Sequence, residues 1–412
     1  MASPLRIALL TYRGNPHSGG QGVYVRYLSR ALVELGHEVE VFSGQPYPAL
    51  DEGVAFTPVP SLDLYRADDP FRRPLLAEFR DWIDVLEYAA MCTAAFPEPL
   101  TFSLRIARLM RARQREFDVV HDNQGFGYGL LDVVPRMPVV ATIHHPITID
   151  RRLDLVHAPW YRQLSLRRWY AFTHMQSRVA RRIPKLIAAA ESGRRDAISE
   201  LRLAPEKIDV VQNGVDVELF RPLPATPRVP GRIITTTSAD VPIKGLVYLI
   251  EALAKLRTER DATLVVVGKP RAGGAVQQAI DRFGLRAHVT FETGIESLRL
   301  VELYASAEAA VIPSLYEGFS LPAAEAMACE VPIVATTGGA LPEVVGTEGA
   351  AGLLVPPKDA GALAVAIGHV LDNHALRTRM GTAGRARVIE RFTWTRTAAA
   401  TTERYREVLE RC

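Results

Sequence analysis

The stretch YEGFSLPAAEAMACEVPIVATTGG, residues 316–339, carries two carboxylates, Glu317 and Glu325, around the start of an apolar helical segment. The run AAVIPS before it reads as a strand ending near Ser314, so Glu317 falls in a loop at a strand's carboxyl end. Pro322 suits a first helical turn, where its missing N–H costs nothing, and Ser320 is the expected N-cap. Gly318 lets the backbone come close to a ligand. The N–H groups around Ser320, Leu321 and Ala323 then make an anion site at the positive end of the helix dipole. A diphosphate fits there. Glu325, on the same side, can accept two hydrogen bonds from the vicinal hydroxyls of a ribose, and Glu317 can accept from a second polyol. The chemistry implied is the binding of a nucleoside diphosphate sugar. Spacing alone also allows Glu325 to cap its own helix while Glu317 is solvated.

Such residues need strands and helix starts to hold them, and the chain supplies two series. RIALLTY (6–12) is an apolar β-favouring run that stops at RGNPHSGGQG, and a helical face follows in Val23, Tyr27, Leu28, Ala31, Leu32 and Leu35. HEVEVFSG, FDVVHD, PVVATIHH, KLIAAA and IDVVQNG continue the alternation. A proline-rich stretch at 213–231 interrupts it. A second series begins with RIITTTS and runs through ATLVVVGK, HVTFET, AAVIPS, PIVATT and AGLLVP. Short apolar strands separated by helices predict parallel sheets covered on both faces.

The expected architecture is α/β, with two doubly wound, Rossmann-like parallel-sheet domains facing each other across a cleft. The boundaries read as residues 1–212 for an N-terminal, acceptor-binding domain and 213–230 for a linker. Residues 231–392 form a nucleotide-sugar-binding domain, and 393–412 a C-terminal helix that crosses back to the first domain. Ligands are expected beyond the carboxyl ends of the strands.

Bulk properties narrow the function. A net charge of +3 is too small to suggest nucleic-acid binding. Cys92, Cys329 and Cys412 are too scattered for a disulfide framework or a zinc cluster, and a reducing cytoplasm is the simplest setting. No apolar run is long enough for a membrane span. No metal-ligand cluster is evident, so no metal and no cofactor are expected, the nucleotide sugar being a substrate.

The motifs resemble family 4 retaining glycosyltransferases, which have the GT-B fold. EGFSLPAAE looks like that family's Glu-x7-Glu signature, GGQGVYVRYLSRALVELGHEVEVFS its N-terminal glycine loop and helix, and VVATIHH its strand ending in an active-site histidine. NGVDVELFRP resembles the interdomain linker and KGLVYLIEAL the lysine-glycine helix. The resemblance implies that Glu317 lies by the donor sugar and that Glu325 binds the nucleotide ribose. It implies that the backbone of Gly318, Phe319 and Ser320 touches sugar hydroxyls and that of Leu321 meets phosphate. Lys244 would neutralise the departing diphosphate, Gly19 and Gly20 would bring amides near the donor, and His144 would serve in the active site. His145 is the next candidate.

One feature departs from the pattern. The family usually carries an arginine five or six residues before the lysine, where TSADVPIKG has Ser238 and Ala239. Lys269 and Arg271, after the next strand, are the substitute cations.

The resemblance also implies retention of anomeric configuration, with the leaving phosphate helping to deprotonate the acceptor hydroxyl. The product would be a hexosyl group moved from a UDP- or GDP-linked donor to an acceptor. A lipid or cell-envelope glycoconjugate precursor is one candidate acceptor. The insertion 58–116, with Tyr65, Phe71, Phe79, Trp82, Tyr88, Phe96 and Phe102, is expected to shape the acceptor pocket. Segment 160–182 mixes aromatics and arginines without an acidic residue, as a basic helix lying on an anionic membrane would. Such contact would place the protein at the inner face of the membrane. A sugar-nucleotide epimerase of the same architecture and a non-catalytic sugar-nucleotide binder are the competing readings. The base, the hexose, the acceptor and the oligomeric state are not legible.

Overall fold

The near-continuous apolar runs are strands buried on both faces. The computed structural model describes residues 3–15, 20–66, 68–237 and 241–410. Gly19, and the Ser238–Ala239 pair that replaces the family's arginine, lie outside the described residues. The chain divides into two compact units, Met1–Val211 with Thr395–Cys412, and Gln212–Trp394.

The first unit holds a parallel sheet of β1 (Arg6–Thr11), β2 (Glu38–Ser43), β3 (Ala55–Pro58), β4 (Val119–Asn123), β5 (Val139–Ile143), β6 (Lys185–Ala188) and β7 (Ile208–Val210). Their spatial order is β3-β2-β1-β4-β5-β6-β7. The second holds β8 (Arg232–Thr236), β9 (Thr263–Val267), β10 (Val289–Glu292), β11 (Ala309–Ile312), β12 (Ile333–Thr336) and β13 (Gly352–Val355), ordered β10-β9-β8-β11-β12-β13. The strand order of each parallel sheet thus reverses once, between β1 and β4 and between β8 and β11. A crevice opens at such a reversal because the flanking loops leave in opposite directions.

Every residue of β4, β5, β6, β11 and β12 is buried. Helices cover the faces of both sheets. In the second unit, Leu246, Leu249, Ile250 and Leu253 of the helix Leu246–Leu256 join Ile233, Val266 and Val311 in one core. The edge strand β3 was not anticipated. It is short, mostly exposed and ends in Pro58, as an edge strand can.

Segment 160–182 is two helices rather than the single one expected, Trp160–Trp169 and Phe172–Ala180. The second buries Met175, Gln176, Val179 and Ala180, whereas the first buries nothing. Only the second half carries an apolar face that the core can use.

The helix Trp394–Leu409 is tied to the first sheet by a buried polar chain. The Tyr405 hydroxyl lies 2.6 Å from His121 Nδ1, and His121 Nε2 lies 2.7 Å from Thr142 Oγ1. Thr142 Oγ1 is also 3.0 Å from the Tyr24 hydroxyl. Burial pushes the His121 imidazole down to about 3, so it is neutral and each nitrogen needs a partner. Tyr405→Phe strips Nδ1 of its partner, at a cost of about 1–3 kcal/mol. A lower urea midpoint for the variant is expected, and an unchanged midpoint would show that the chain is not a stabilising network.

Candidate functional site

Lys244 and Glu317 sit at the carboxyl edge of the second sheet, on the loops that leave the neighbouring strands β8 and β11. Two glycines bring them together. Gly245 ends the turn Pro242–Lys244 with φ +66°, and a Cβ there would lie 2.1 Å from the Pro313 carbonyl oxygen. That close approach lets Leu315 N–H donate to Ile243 O at 2.7 Å. Gly339, φ +61°, would place a Cβ 2.3 Å from Glu317 O, and Ala340 N–H donates to that same carbonyl at 2.9 Å. The Glu317 loop is therefore held from two sides by backbone. Only glycine tolerates both the left-handed φ and the contact.

In this cradle Lys244 Nζ donates to Glu317 Oε1 and Oε2 at 2.9 and 3.0 Å. Ser314 Oγ donates to Oε1 at 2.6 Å. The Glu317 side chain is only 11% exposed, against 30% for Lys244. The sequence reading did not bring these two residues into direct contact, and it missed Ser314. Lys269 and Arg271 are exposed in the loop after β9, outside this pair.

The helix Leu321–Ala328 starts immediately after this loop. Ser320 occupies its N-cap position at φ 84°, ψ 76°, but its side chain makes no cap bond, contrary to expectation. The buried Oγ has no hydrogen-bond partner among the described residues. In the helix geometry the N–H groups of Leu321 and Ala323 also lack partners within the helix, and Pro322 has none to offer. Phe319 is buried edge-on against Phe392, ring centroids 5.5 Å apart, so its side chain is core and only its backbone can face a ligand. Glu325 is half-buried, and its carboxyl makes no hydrogen bond or ion pair among the described residues. Burial pushes it up to about 7. A desolvated carboxyl and an unsatisfied hydroxyl on one helix start are an incomplete set of partners, which an anionic, hydroxyl-bearing ligand would complete.

The first unit places His144 directly after β5. His144 Nε2 lies 2.7 Å from Asn123 Oδ1 at the end of β4. That oxygen only accepts, so Nε2 carries the hydrogen and Nδ1 is left as an acceptor. Gln124, held at φ 56°, accepts the backbone N–H of His144 at 2.5 Å and donates to His145 O at 2.9 Å. Burial, with His145 alongside, lowers the His144 imidazole to about 3. His145 Nε2 pairs with Asp150 at 2.6 Å. Asn123 and Gln124 escaped the sequence reading, although the polar run HDNQ at the end of an apolar strand was a visible signal. Gly20 opens the helix Gly20–Glu34, and a Cβ there would meet nothing within 4 Å, so the protein itself does not require glycine at this position.

With this geometry, a family model described as Glycosyltransferase Family 4 matches residues 18–219, and one described as Glycosyl transferases group 1 matches residues 227–387. An MMP alpha-(1->4)-mannosyltransferase of Mycolicibacterium hassiacum is 50% identical over 409 residues, 99% of either chain. The chain belongs to glycosyltransferase family 4. It is a glycosyltransferase of GT-B fold, and both carboxylates, Lys244 and His144 fall inside the matched segments. Among solved structures, sucrose-phosphate synthase from Thermosynechococcus elongatus aligns with TM-score 0.74 and 22% identity, covering 99% of this chain and 100% of that one. Anabaena Alr3699/HepE in complex with UDP-glucose aligns with TM-score 0.69 and 17% identity, covering 98% and 100%. At these identities the likeness is one of fold.

The Glu325 carboxyl gives this site a pH signature. Its folded value of about 7 stands above its ordinary 4.5. Between those values the unfolded chain has released a proton that the folded chain keeps, so stability falls as pH rises through the window. Glu325→Gln is expected to flatten that part of the curve relative to wild type in urea titrations at several pH values. Parallel curves would mean that the carboxyl is not desolvated.

Proposed function

We propose that this glycosyltransferase moves a mannosyl group from a nucleoside diphosphate mannose to the 4-hydroxyl of a mannose-containing acceptor, with retention and without a resident metal. The observation that carries the proposal is the pairing of Lys244 with Glu317 next to the start of the helix Leu321–Ala328, whose Glu325 has no partner among the described residues. The sugar and linkage follow the half-identical relative, whose name specifies an α-(1→4)-mannosyltransferase. An α-linked product from an α-linked donor is retention.

Each group then has a role. Lys244 and the N–H groups of Leu321 and Ala323 stabilise the charge that develops on the departing diphosphate. Glu325 accepts from the ribose hydroxyls. Glu317 accepts from hydroxyls of the donor sugar. With both oxygens bound by Lys244 and one also by Ser314, its carboxylate is suited to hydrogen bonding rather than nucleophilic attack. His144, neutral and anchored through Nε2, positions the acceptor hydroxyl. The C–O bond to mannose forms as the bond to phosphate breaks, and the acceptor's proton passes to the phosphate oxygen that leaves.

The test is incubation of purified protein with UDP- and GDP-mannose and methyl α-mannoside, with the product's linkage read by NMR. An α-(1→4) disaccharide is expected from one of the donors. Lys244→Ala should lower kcat about 100-fold or more, the usual size of losing one such electrostatic contact. An isomerised donor would favour the epimerase reading, and tight binding without turnover the non-catalytic one.

A second observation concerns the surface. The helix Trp160–Trp169 presents Trp160 at 84%, Tyr161 at 66% and Leu164 at 79% exposure, next to the exposed Arg162, Arg167 and Arg168. Among the described residues no helix is long and apolar enough to cross a membrane. We propose that this helix touches an anionic bilayer, its aromatics entering the headgroup region and its arginines meeting lipid phosphate. Co-sedimentation with phosphatidylglycerol vesicles at low salt, lost in Trp160→Ala/Arg167→Ala/Arg168→Ala, is the expected result. Absence of wild-type sedimentation would end this part of the reading.

A further inference from the structure

An aromatic cluster stands over the carboxyl edge of the first sheet, outside the groups assigned above. Tyr12 leaves β1 and packs against Phe96, ring centroids 6.4 Å apart. Phe96 meets Trp169 at 5.1 Å, Tyr65 at 5.3 Å and Phe172 at 5.3 Å. Tyr65 in turn meets Trp169 at 5.6 Å and Phe71 at 5.4 Å. The cluster joins segment 58–116 to the helices Trp160–Trp169 and Phe172–Ala180. Most of its rings are half-buried, but Phe71 is 59% exposed. Its backbone is held at φ 65°, a region that bulky residues rarely adopt, with its N–H donating to Leu64 O at 2.7 Å. The fold therefore tolerates local strain while presenting an aromatic ring to solvent.

The surroundings are polar. Arg13 donates through Nη2 to Tyr65 O at 3.2 Å and pairs through Nε with the buried Glu98 at 3.1 Å. Asp63 lies within electrostatic reach of the same arginine. Arg13 belongs to the loop that leaves β1, beside the sheet's point of reversal. At the same edge, Asn123, which holds His144, donates to Thr11 Oγ1 at 3.5 Å and to Gln21 O at 3.4 Å. Aromatic cluster and anchored histidine thus share one loop system.

We propose that Phe71, supported by Tyr65 and Trp169, is a stacking subsite for a sugar ring of the acceptor, at a remove from the hydroxyl that reacts. This rests on the mannosyltransferase reading and specifies its preferred acceptor as a saccharide longer than one residue. A pyranose offers a face of C–H bonds that packs on the electron-rich face of an aromatic ring, and hydroxyls at its rim that need polar partners. Phe71 supplies the exposed ring, and Arg13, which bonds the backbone of the Tyr65 that Phe71 packs on, is the polar group of that rim. A hydrocarbon chain would gain nothing from that rim and would pay to desolvate it.

The experiment uses the full chain without donor, with an α-(1→4)-linked mannose tetramer as probe, read by saturation-transfer NMR. Transfer to the saccharide in wild type, its loss in Phe71→Ala and its retention in Phe71→Trp are expected. In the transfer assay Phe71→Ala should raise the KM of the tetramer roughly tenfold while kcat and donor KM stay unchanged. An unchanged tetramer KM, or displacement of the tetramer signal by n-decanol, would overturn the proposal. Failure of wild type to transfer mannose would sink the reading above it, while the donor-free binding measurement would still decide this one.

Discussion

The ion pair between Lys244 and Glu317 is the constraint on which the second unit's site depends. A lysine ammonium at the tip of a short turn is ordinarily mobile. Here it is fixed by two carboxylate oxygens on a loop that backbone contacts clamp at Gly245 and Gly339. The pair also solves a problem for Glu317. A carboxylate so little exposed would be costly alone, and Lys244 with Ser314 supplies the charge and hydrogen bonds it lacks. Removing Lys244 therefore does two things at once: it deletes a cation and leaves a buried anion. A double-mutant cycle, rather than either single change, measures what the pair contributes.

The pair's neighbours are the reason the proposed ligand would complete the site. Within a few residues lie a hydroxyl at Ser320 with no partner among the described residues, a helix start and a carboxyl at Glu325 that burial has pushed up to about 7. Each would be better satisfied by a different part of one molecule: an anionic centre at the helix start, with hydroxyls on either side. On the proposed reading, an incoming phosphate competes with Glu317 for Lys244, while a sugar hydroxyl donating to Glu317 offsets what that carboxylate loses. On the proposed reading, donor binding exchanges partners around an already ordered lysine, so little ordering entropy is spent at that step.

Much of the fold was legible because parallel strands buried on both faces are apolar over most of their length, and the β5, β11 and β12 runs are. Glu317 and Glu325 were legible because charge is conspicuous in an otherwise apolar stretch between two such strands. What escaped was set by distant contacts. The meeting of Lys244 with Glu317 depends on β8 and β11 being neighbours, a consequence of strand order that no local window contains. Ser320 sits at a cap position but in a left-handed backbone, which residue type does not reveal. The division of segment 160–182 turns on which half finds a core to enter. The aromatics of segment 58–116 were visible individually, yet their assembly around Phe96 requires Trp169 and Phe172 from far along the chain.

The polar end of β4 shows how the first unit fixes its histidine. Three successive buried residues there have different tasks. His121 bonds Tyr405 and Thr142, Asp122 accepts the N–H of Phe126 at 2.8 Å, and Asn123 accepts from His144. The Asp122 bond closes a tight loop in which Gln124 and Phe126 both take positive φ, and that loop aims the Gln124 amide at the backbone of His144 and His145. His144 is thereby fixed in backbone position, ring orientation and tautomer. With its imidazole pushed down to about 3, it can accept a hydroxyl's hydrogen bond through Nδ1 without taking up a proton at neutral pH. A histidine held in this way is an orienting group. On the proposed transfer it sets the direction from which the acceptor oxygen attacks and leaves the proton to the departing phosphate.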